Sequence, residues 1–298
     1  MPELPEAETI CRYLAGRIVG DRIVRVRLDR RDIIRQSVVP FRSSLTGATI
    51  RAIRRRGKRL ITELDNAHCL IIGLGMTGQL LVQPKNTRPA PHTHLRLILD
   101  RDDLELRFRD TRRFGGIWLV PSATIDRGTT SQIDDPSNAT GSETCPKPLP
   151  AGLEPLDMSP REFRDLFRGT RPVKALLLDQ NAIAGLGNIY CDEALHRARI
   201  HPQTIVTSLD RPHLDRLRRS IRAVLDRDIR DGGTTLRDFR SPNGDPGRFQ
   251  TRHRVYGKAD QPCPRCGAPI QRTIVASRST HFCPSCQTNP DSPTGQAG

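Results

Sequence analysis

The stretch CPRCGAPIQRTIVASRSTHFCPSC, residues 263–286, carries two Cys-x2-Cys pairs, Cys263/Cys266 and Cys283/Cys286, separated by sixteen residues. Four thiolates at this spacing suit a tetrahedral zinc ion, each pair on a tight knuckle. Gly267 follows the first knuckle, where a left-handed turn is often required. Iron–sulfur ligation and a redox dithiol are the competing uses of such pairs. Four protein ligands leave a zinc ion no open position, so the expectation is one structural Zn2+. Arg265, Arg272 and Arg278 give the same module a positive surface that suits phosphate. Cys11, Cys69, Cys145 and Cys191 show no ligand spacing; Cys11, Cys69 and Cys191 read as small buried hydrophobes.

Outward from this module, the chain is 298 residues long, enough for two domains and a small third one. Its 48 Lys+Arg against 33 Asp+Glu give a formal charge of +15, which points to a polyanionic partner, most often nucleic acid. A basic protein with no nucleic-acid role would show the same balance, so charge needs support from motifs. Arg dominates the basic set, and its planar fork suits bidentate phosphate contacts better than Lys. No stretch approaches the roughly 20 apolar residues of a membrane span. The start MPELPEAE is acidic and proline-rich, the opposite of a secretory signal. The expectation is a cytoplasmic protein without disulfides.

The first 120 residues read as mostly β behind one opening helix, with Ile10, Cys11 and Leu14 at helical spacing. Between Asp21 and Leu28, Val24, Val26 and Leu28 are expected on one face of a half-buried strand, with Arg25 and Arg27 on the other. Short apolar runs follow at 60–64, 69–72, 79–82, 95–99, 104–108 and 117–120, which predicts a sandwich or barrel. Residues 121–152, rich in Ser, Thr, Pro, Gly and Asp, read as a linker or insertion. From 153 the pattern turns helical. Ser159-Pro160-Arg161-Glu162 forms a capping box, helices are expected over 172–180 and 188–198, and a fourth over 210–230 carries Leu214, Leu217, Ile221 and Val224 on one stripe. Residues 232–254 lose periodicity, and the last eleven, 288–298, read as a disordered tail. The division is therefore 1–120, 121–152, 153–252, 253–287 and 288–298.

The N-terminus Met1-Pro2-Glu3-Leu4-Pro5-Glu6 has a chemical reading. Removal of Met1 would expose Pro2 as a secondary amine, able to attack an electrophilic carbon and form an iminium. An α-amine titrates near 8, so much of it can be neutral at cellular pH. Glu3 and Glu6, one helical turn apart, can supply a proton donor and an electrostatic partner. Ordinary helix capping by Pro and acidic first-turn residues is the competing reading.

Taken with GKRL at 57–60, GMTG at 75–78, DTRRFGG at 110–116, LLDQNAIAGLGNIYCDEAL at 177–195, GGTTLRDF at 232–239 and the two Cys pairs, MPELPEAET closely resembles the formamidopyrimidine-DNA glycosylase family. The match runs in order from residue 1 to about 287. PELPE, rather than the PEGPE usual in endonuclease VIII enzymes, favours the purine-excising branch. The resemblance implies an α+β, multidomain fold: an N-terminal β-sandwich with a leading helix, a helix–two-turn–helix domain, and a zinc β-hairpin, with damaged double-stranded DNA in the cleft between them. It implies a monomer.

It also implies roles. Pro2 would attack C1′ of the damaged nucleoside, Glu3 would be the general acid/base, and Glu6 would support it near the flipped nucleotide. Lys58 would contact the lesion phosphate and serve β-elimination, and Arg278 would grip the flanking phosphates and assist δ-elimination. Met76, Arg112 and Phe114 match the residues that fill the gap left by an extruded base. Asn188 matches a phosphate-binding asparagine at a helix start. Lys174 matches a lysine near the lesion, and His92, in HTH, a DNA contact. The 232–249 segment corresponds to a loop closing over extruded 8-oxoguanine. Departures stand at Gly73, where the family often has His, at Thr170 in place of Lys or Arg, and at Lys258 in VYGK; they remove no catalytic group and leave lesion preference open. An oxidised-pyrimidine enzyme and a catalytically silent DNA-binding zinc protein are the alternatives. Retention of Pro2, Glu3, Glu6, Lys58 and Arg278 argues against the silent protein.

Overall fold

The computed structural model describes residues 2–37, 39–101, 103–126, 149–232 and 253–288. They divide into two compact units, the first within Met1–Ala151 and the second formed by 152–231 with 253–288.

The first unit opens with helix α1 (Leu4–Ile18), started by a capping box between Glu3 and Glu6 with Pro5 in the first turn. Leu4, Ala7, Ile10, Cys11, Leu14 and Ile18 form its buried stripe. Two sheets follow. β1 (Ile23–Leu28), β7 (Thr93–Leu99), β8 (Leu104–Asp110) and β6 (Gly78–Pro84) make an antiparallel four-stranded sheet in the order β1-β7-β8-β6. β2 (Ile34–Ser37), β9 (Gly116–Pro121), β5 (His68–Gly73), β4 (Arg59–Leu64) and β3 (Ile50–Arg56) make the second, in the order β2-β9-β5-β4-β3, with β2 parallel to β9. Short helices α2 (Phe41–Leu45) and α3 (Ser122–Asp126) complete it.

One apolar cluster joins Ile10, Leu14 and Ile18 of α1 to Leu97, Leu106 and Phe108 of the first sheet and Leu60, Leu70 and Ile117 of the second. That shared core makes a sandwich with a leading helix. A second cluster, of Ile61, Cys69, Ile71, Trp118, Val120 and Ile125, covers the other side of β4, β5 and β9. These strands are buried on both faces, which is why they read as unbroken apolar runs.

The face expected for β1 is corrected. A bulge between Ile23 and Arg25 buries Ile23 and Val26 and leaves Val24 46% exposed. β3, IRAIRRR, gave no strand signal because it is a sheet edge: Arg51 and Arg54 face solvent while Ile50 and Ile53 are buried. Charged side chains on an exposed edge also discourage pairing with other chains.

The second unit contains α4 (Pro160–Asp165), α5 (Val173–Leu178), α6 (Asn188–Ala198), α7 (Arg211–Arg230) and the hairpin β10 (Gln271–Val275)–β11 (Arg278–Phe282). The Ser159/Glu162 capping box starts α4, and Asp210 caps α7 by accepting from the His213 amide at 2.9 Å. On α7 the buried stripe is Leu214, Leu217, Ile221 and Leu225; Val224, expected on it, is only half-buried. Among the described residues no helix is long and apolar enough to cross a membrane.

Glu8 of α1 accepts from Arg55 Nε of β3 at 2.8 Å and from Arg12 Nε at 2.7 Å. Burial pushes its carboxyl up, but the hydrogen bonds and charges of Arg55 and Arg12 outweigh it and hold the group below its ordinary value. Glu8→Gln should lower stability at neutral pH by about 1–3 kcal/mol, read as a fall in Tm. A carboxyl held low in the folded state contributes stability above its unfolded pKa and loses it as pH falls through the folded one. The deficit should therefore shrink below the ordinary carboxylate range; a pH-independent deficit would assign the effect to packing.

Candidate functional site

At the start of α1, Pro2, Glu3 and Glu6 are all buried, with Glu3 and Glu6 2% and 1% exposed. Glu6 Oε2 accepts from the Glu3 amide at 2.7 Å, which fixes the backbone one residue after Pro2. Arg55 then connects this helix to the β3–β4 turn: its Nε holds Glu8 and its Nη1 donates to the Gly57 carbonyl at 2.9 Å. Gly57 takes a left-handed conformation (φ +55°), and Lys58 follows it, half-buried. The capping reading and the catalytic reading of the N-terminus are thus compatible. The cap orders the same carboxylates that acid–base chemistry would need.

Met76, Arg112 and Phe114 sit on two loops of the same unit. Met76 is 40% exposed and Phe114 55%, and the Arg112 guanidinium lies 4.4 Å from the Phe114 ring centre. Asp110, fully buried, organises them: it accepts from the Thr77 hydroxyl, from the Gly115 amide at 2.8 Å, and from the Arg112 amide at 3.3 Å. The loops touch through glycine. A Cβ at Gly75 (φ +61°) would lie 2.5 Å from the Gly115 nitrogen and the Phe114 carbonyl carbon. Arg35 supports the second loop from β2 by donating to the Arg113 and Gly115 carbonyls at 3.1 and 2.9 Å. At Gly73 a Cβ would fall 1.5 Å from Arg59 Nη1, so Arg59, stacked 4.3 Å over Trp118, fills the space of the missing side chain. His92 is exposed, at φ +68°, and its ring meets His94 edge-on at 6.4 Å.

In the second unit the four cysteine sulfurs lie within 4.8 Å of one another. A tetrahedral zinc with Zn–S of about 2.3 Å would set sulfurs about 3.8 Å apart, so the cluster fits the ion. The Arg265 and Cys286 amides point at Cys263 and Cys283 Sγ, 3.5 and 3.4 Å away. These residues hold one structural zinc. Helix α6 anchors the module along one face. Asn188 Nδ2 donates to the Ser279 carbonyl at 2.8 Å, and Asp192 accepts from the His281 amide at 2.9 Å. Glu193 accepts from the amides of Arg254, Val255 and Tyr256 at 2.9–3.0 Å. Burial pushes the Glu193 carboxyl up, against those three donors, which favour its charged form. His196 Nε2 lies 3.5 Å from Cys263 Sγ. Burial, then the charges of Arg265 and Arg254, lower the His196 pKa to about 4. The imidazole is therefore neutral, and its tautomer with the proton on Nε2 donates toward the Cys263 sulfur. Arg278 is exposed at the hairpin tip, after Ala276 and Ser277, both at positive φ.

Three family models match in chain order: the formamidopyrimidine-DNA glycosylase N-terminal domain over residues 1–117, its H2TH domain over 152–240, and the zinc finger found in FPG and IleRS over 260–289. The chain belongs to the formamidopyrimidine-DNA glycosylase family. It is 40% identical to the formamidopyrimidine-DNA glycosylase of Pelotomaculum thermopropionicum, over 96% of this chain and 99% of that one. Among solved structures it is similar to a Lactococcus lactis FPG variant bound to DNA containing Fapy-dG (TM-score 0.83, 34% identity, 97% of this chain and 100% of that one). It is equally similar to the wild-type L. lactis FPG bound to DNA containing an oxidised pyrimidine (TM-score 0.82, 34% identity, the same coverage).

Within this family frame one expected contact is corrected. Lys174 is fully buried, and its three donors are engaged by Asp192 Oδ1 at 2.6 Å, Thr280 Oγ1 at 2.8 Å and the Ser279 carbonyl at 3.2 Å. No donor remains for DNA; Lys174 instead fixes the strand that follows Arg278. Asn188 shares that work, and its buried Oδ1 has no partner. The 232–249 loop lies outside the described residues from 233 onward, as do most of the 121–152 insertion and all but the first residue of the tail. Asp110, Asp192, Glu193 and His196 were missed in the sequence. The signal for three of them was a polar series at 188, 192, 193 and 196 on a helix whose other positions are mostly apolar.

Lys174→Met should cost about 3–5 kcal/mol by leaving Asp192 buried and unpaired, and Lys174→Met/Asp192→Leu should recover part of it. Chemical denaturation of both variants measures the difference; an unaffected single variant would mean that the pair is not closed in solution. Metal analysis should find one zinc per chain. His196→Phe should weaken zinc retention against a chelator by about 10–100-fold, and unchanged release would confine His196 to packing.

Proposed function

We propose that this chain excises oxidised purines, 8-oxoguanine and formamidopyrimidines, from duplex DNA and then cuts the strand. Residues 1–120 carry the chemistry, 153–252 bind DNA, and 253–287 form the zinc module. The enzyme works as a monomer in the cytoplasm, on nucleoid DNA. The observation that carries the reading is the buried, hydrogen-bonded constellation of Pro2, Glu3 and Glu6 at the start of α1, with Lys58 tied to the same helix through Arg55.

With Met1 removed, the Pro2 nitrogen attacks C1′ of the damaged nucleoside, the N-glycosidic bond breaks, and the base leaves with a proton. Glu3 passes protons during opening of the sugar ring, which yields an iminium between Pro2 and C1′. Glu6 holds Glu3 and the helix start in place. Lys58 binds the lesion phosphate and serves the β-elimination that expels the 3′ phosphate. Arg278 grips the flanking phosphates and assists δ-elimination of the 5′ phosphate, leaving a one-nucleotide gap. Met76, Arg112 and Phe114 fill the space of the extruded nucleotide, which agrees with their exposure on loops rather than in the core. His92 and Asn188 contribute DNA contacts.

A second substrate class has a specific support: the wild-type L. lactis relative is seen with an oxidised pyrimidine. Borohydride trapping on duplex DNA with one 8-oxoguanine opposite cytosine, followed by mass spectrometry, separates the readings. The expected result is a covalent adduct on Pro2, lost in Pro2→Gly while DNA binding persists. An adduct only with an oxidised pyrimidine would move the substrate class, and wild-type turnover by Pro2→Gly would end the nucleophile assignment. Glu3→Gln should slow base excision by about 10²–10⁴-fold.

A further inference from the structure

Between α4 and the first half of α7 the second unit has a solvent-open hollow of about 570 Å3. Arg161 and Arg164 line it from α4, and Arg211, Arg218 and Arg219 from α7, against a single carboxylate, Asp215. That carboxylate is already engaged: Arg164 Nη1 holds Asp215 Oδ1 at 2.8 Å. Arg161 reaches only Asp165, at 3.9 Å, on a side chain 91% exposed. Arg211, Arg218 and Arg219 have no carboxylate partner among the described residues. Arg218 is held in place by its Nη1, which donates to the Met158 carbonyl at 3.3 Å, while its Nε is buried with no hydrogen-bond partner. A buried guanidinium N–H without an acceptor is a standing cost. So is the gathering of like charges around one concavity. A bound anion relieves the crowding of charge.

The chemistry of that anion follows from the walls. Guanidinium forks match phosphate oxygens bidentately. The excess of four positive charges calls for several linked phosphates rather than one. The volume lies in the range of small-ligand pockets, about 300–1,000 Å3. A DNA duplex, convex and far wider than the hollow, would meet only its rim. No aromatic side chain lines it, so nothing stacks a base and recognition falls on the phosphate chain. None of these residues has a part in the lesion chemistry described above.

We propose that this hollow binds the triphosphate chain of a nucleotide or of inorganic polyphosphate. Isothermal titration of the full-length, zinc-loaded protein at low ionic strength tests it. A duplex with an abasic-site analogue is bound beforehand to occupy the DNA surface, and sodium tripolyphosphate, ATP and orthophosphate are titrated separately. Tripolyphosphate should bind saturably, one per chain, at least tenfold more tightly than orthophosphate. Equal affinity for ATP assigns the site to the phosphate chain alone; tighter binding of ATP assigns it to a nucleotide. Arg211→Ala/Arg219→Ala, which alters two exposed side chains, should weaken binding at least tenfold at unchanged zinc content. Arg218→Lys, which keeps the charge and loses the fork, should weaken it as well. The proposal is overturned by no saturable binding in the wild type, by equal affinity in the double variant, or by binding that vanishes once the duplex is present. Absence of base excision in the wild type would count against the glycosylase reading and leave these titrations readable.

Discussion

The Arg55 guanidinium is the point at which the first unit ties its leading helix to the β3–β4 turn. Its side chain is 7% exposed, and it bonds α1 through Glu8 and the β3–β4 turn through the Gly57 carbonyl. A helix packed on a sheet by apolar contacts alone can slide by fractions of a turn, because dispersion is undirected. A charge-assisted hydrogen bond fixes the register. Cys11 adds a second tie, donating Sγ–H to the Ile53 carbonyl at 3.5 Å. Burial pushes the Cys11 thiol up to about 11, so it remains a donor and an inert neighbour of the site. The first turn of α1 and Lys58 are therefore referenced to the same strand. The roles proposed for Pro2 and Lys58 on one nucleotide would need such a common reference, since small displacements are costly in rate.

Helix α6 performs the equivalent task in the second unit. Asn188, Asp192 and His196 recur every four residues, and each contacts the zinc module: strand β11 at Ser279, the same strand at His281, and the ligand Cys263. Gln287 closes the far end, with Cys283 N donating to its Oε1 and its Nε2 donating to the Ile200 carbonyl. The zinc ion fixes the hairpin internally, and α6 fixes it to the helices. Arg278 projects from a tip whose next residue is held by both Lys174 and Asn188. The Arg278 guanidinium thus stands on a rigid base while remaining exposed.

Much of this was legible in the residues. Cysteine spacing gave the zinc site, the Ser159 capping box gave the start of α4, and helical periodicity gave α5, α6 and α7 within two residues. The central strands were visible because burial on both faces leaves continuous apolar runs. What failed had physical causes. Val24 followed alternation, but a bulge breaks alternation without marking the sequence. β3 was hidden because an edge strand tolerates Arg at positions where a central strand would show Val or Ile. Lys174 matched a motif, and motifs carry residue type without carrying burial. Whether its ammonium meets water or Asp192 depends on a partner eighteen residues away and on a hairpin more than a hundred residues on.

The loops bearing Met76 and Phe114 show how a local cost is sustained. Two large apolar side chains, Met76 and Phe114, stay in solvent, where burial would stabilise them. Asp110 occupies the space beneath, with its oxygens taken by Thr77, Arg112 and Gly115. Gly75 and Gly115 bring the loops into backbone contact that any Cβ would prevent: at Gly115 it would lie 2.7 Å from the Gly73 carbonyl oxygen. Phe114 has the Arg112 guanidinium against its ring, 4.4 Å from its centre. A buried carboxylate aimed at loop amides is a rigid support, since withdrawing any one donor leaves a charge unsatisfied away from water. The gap-filling role proposed for Met76 and Phe114 would need such a support, since a side chain entering the unstacked interior of a duplex must keep its position.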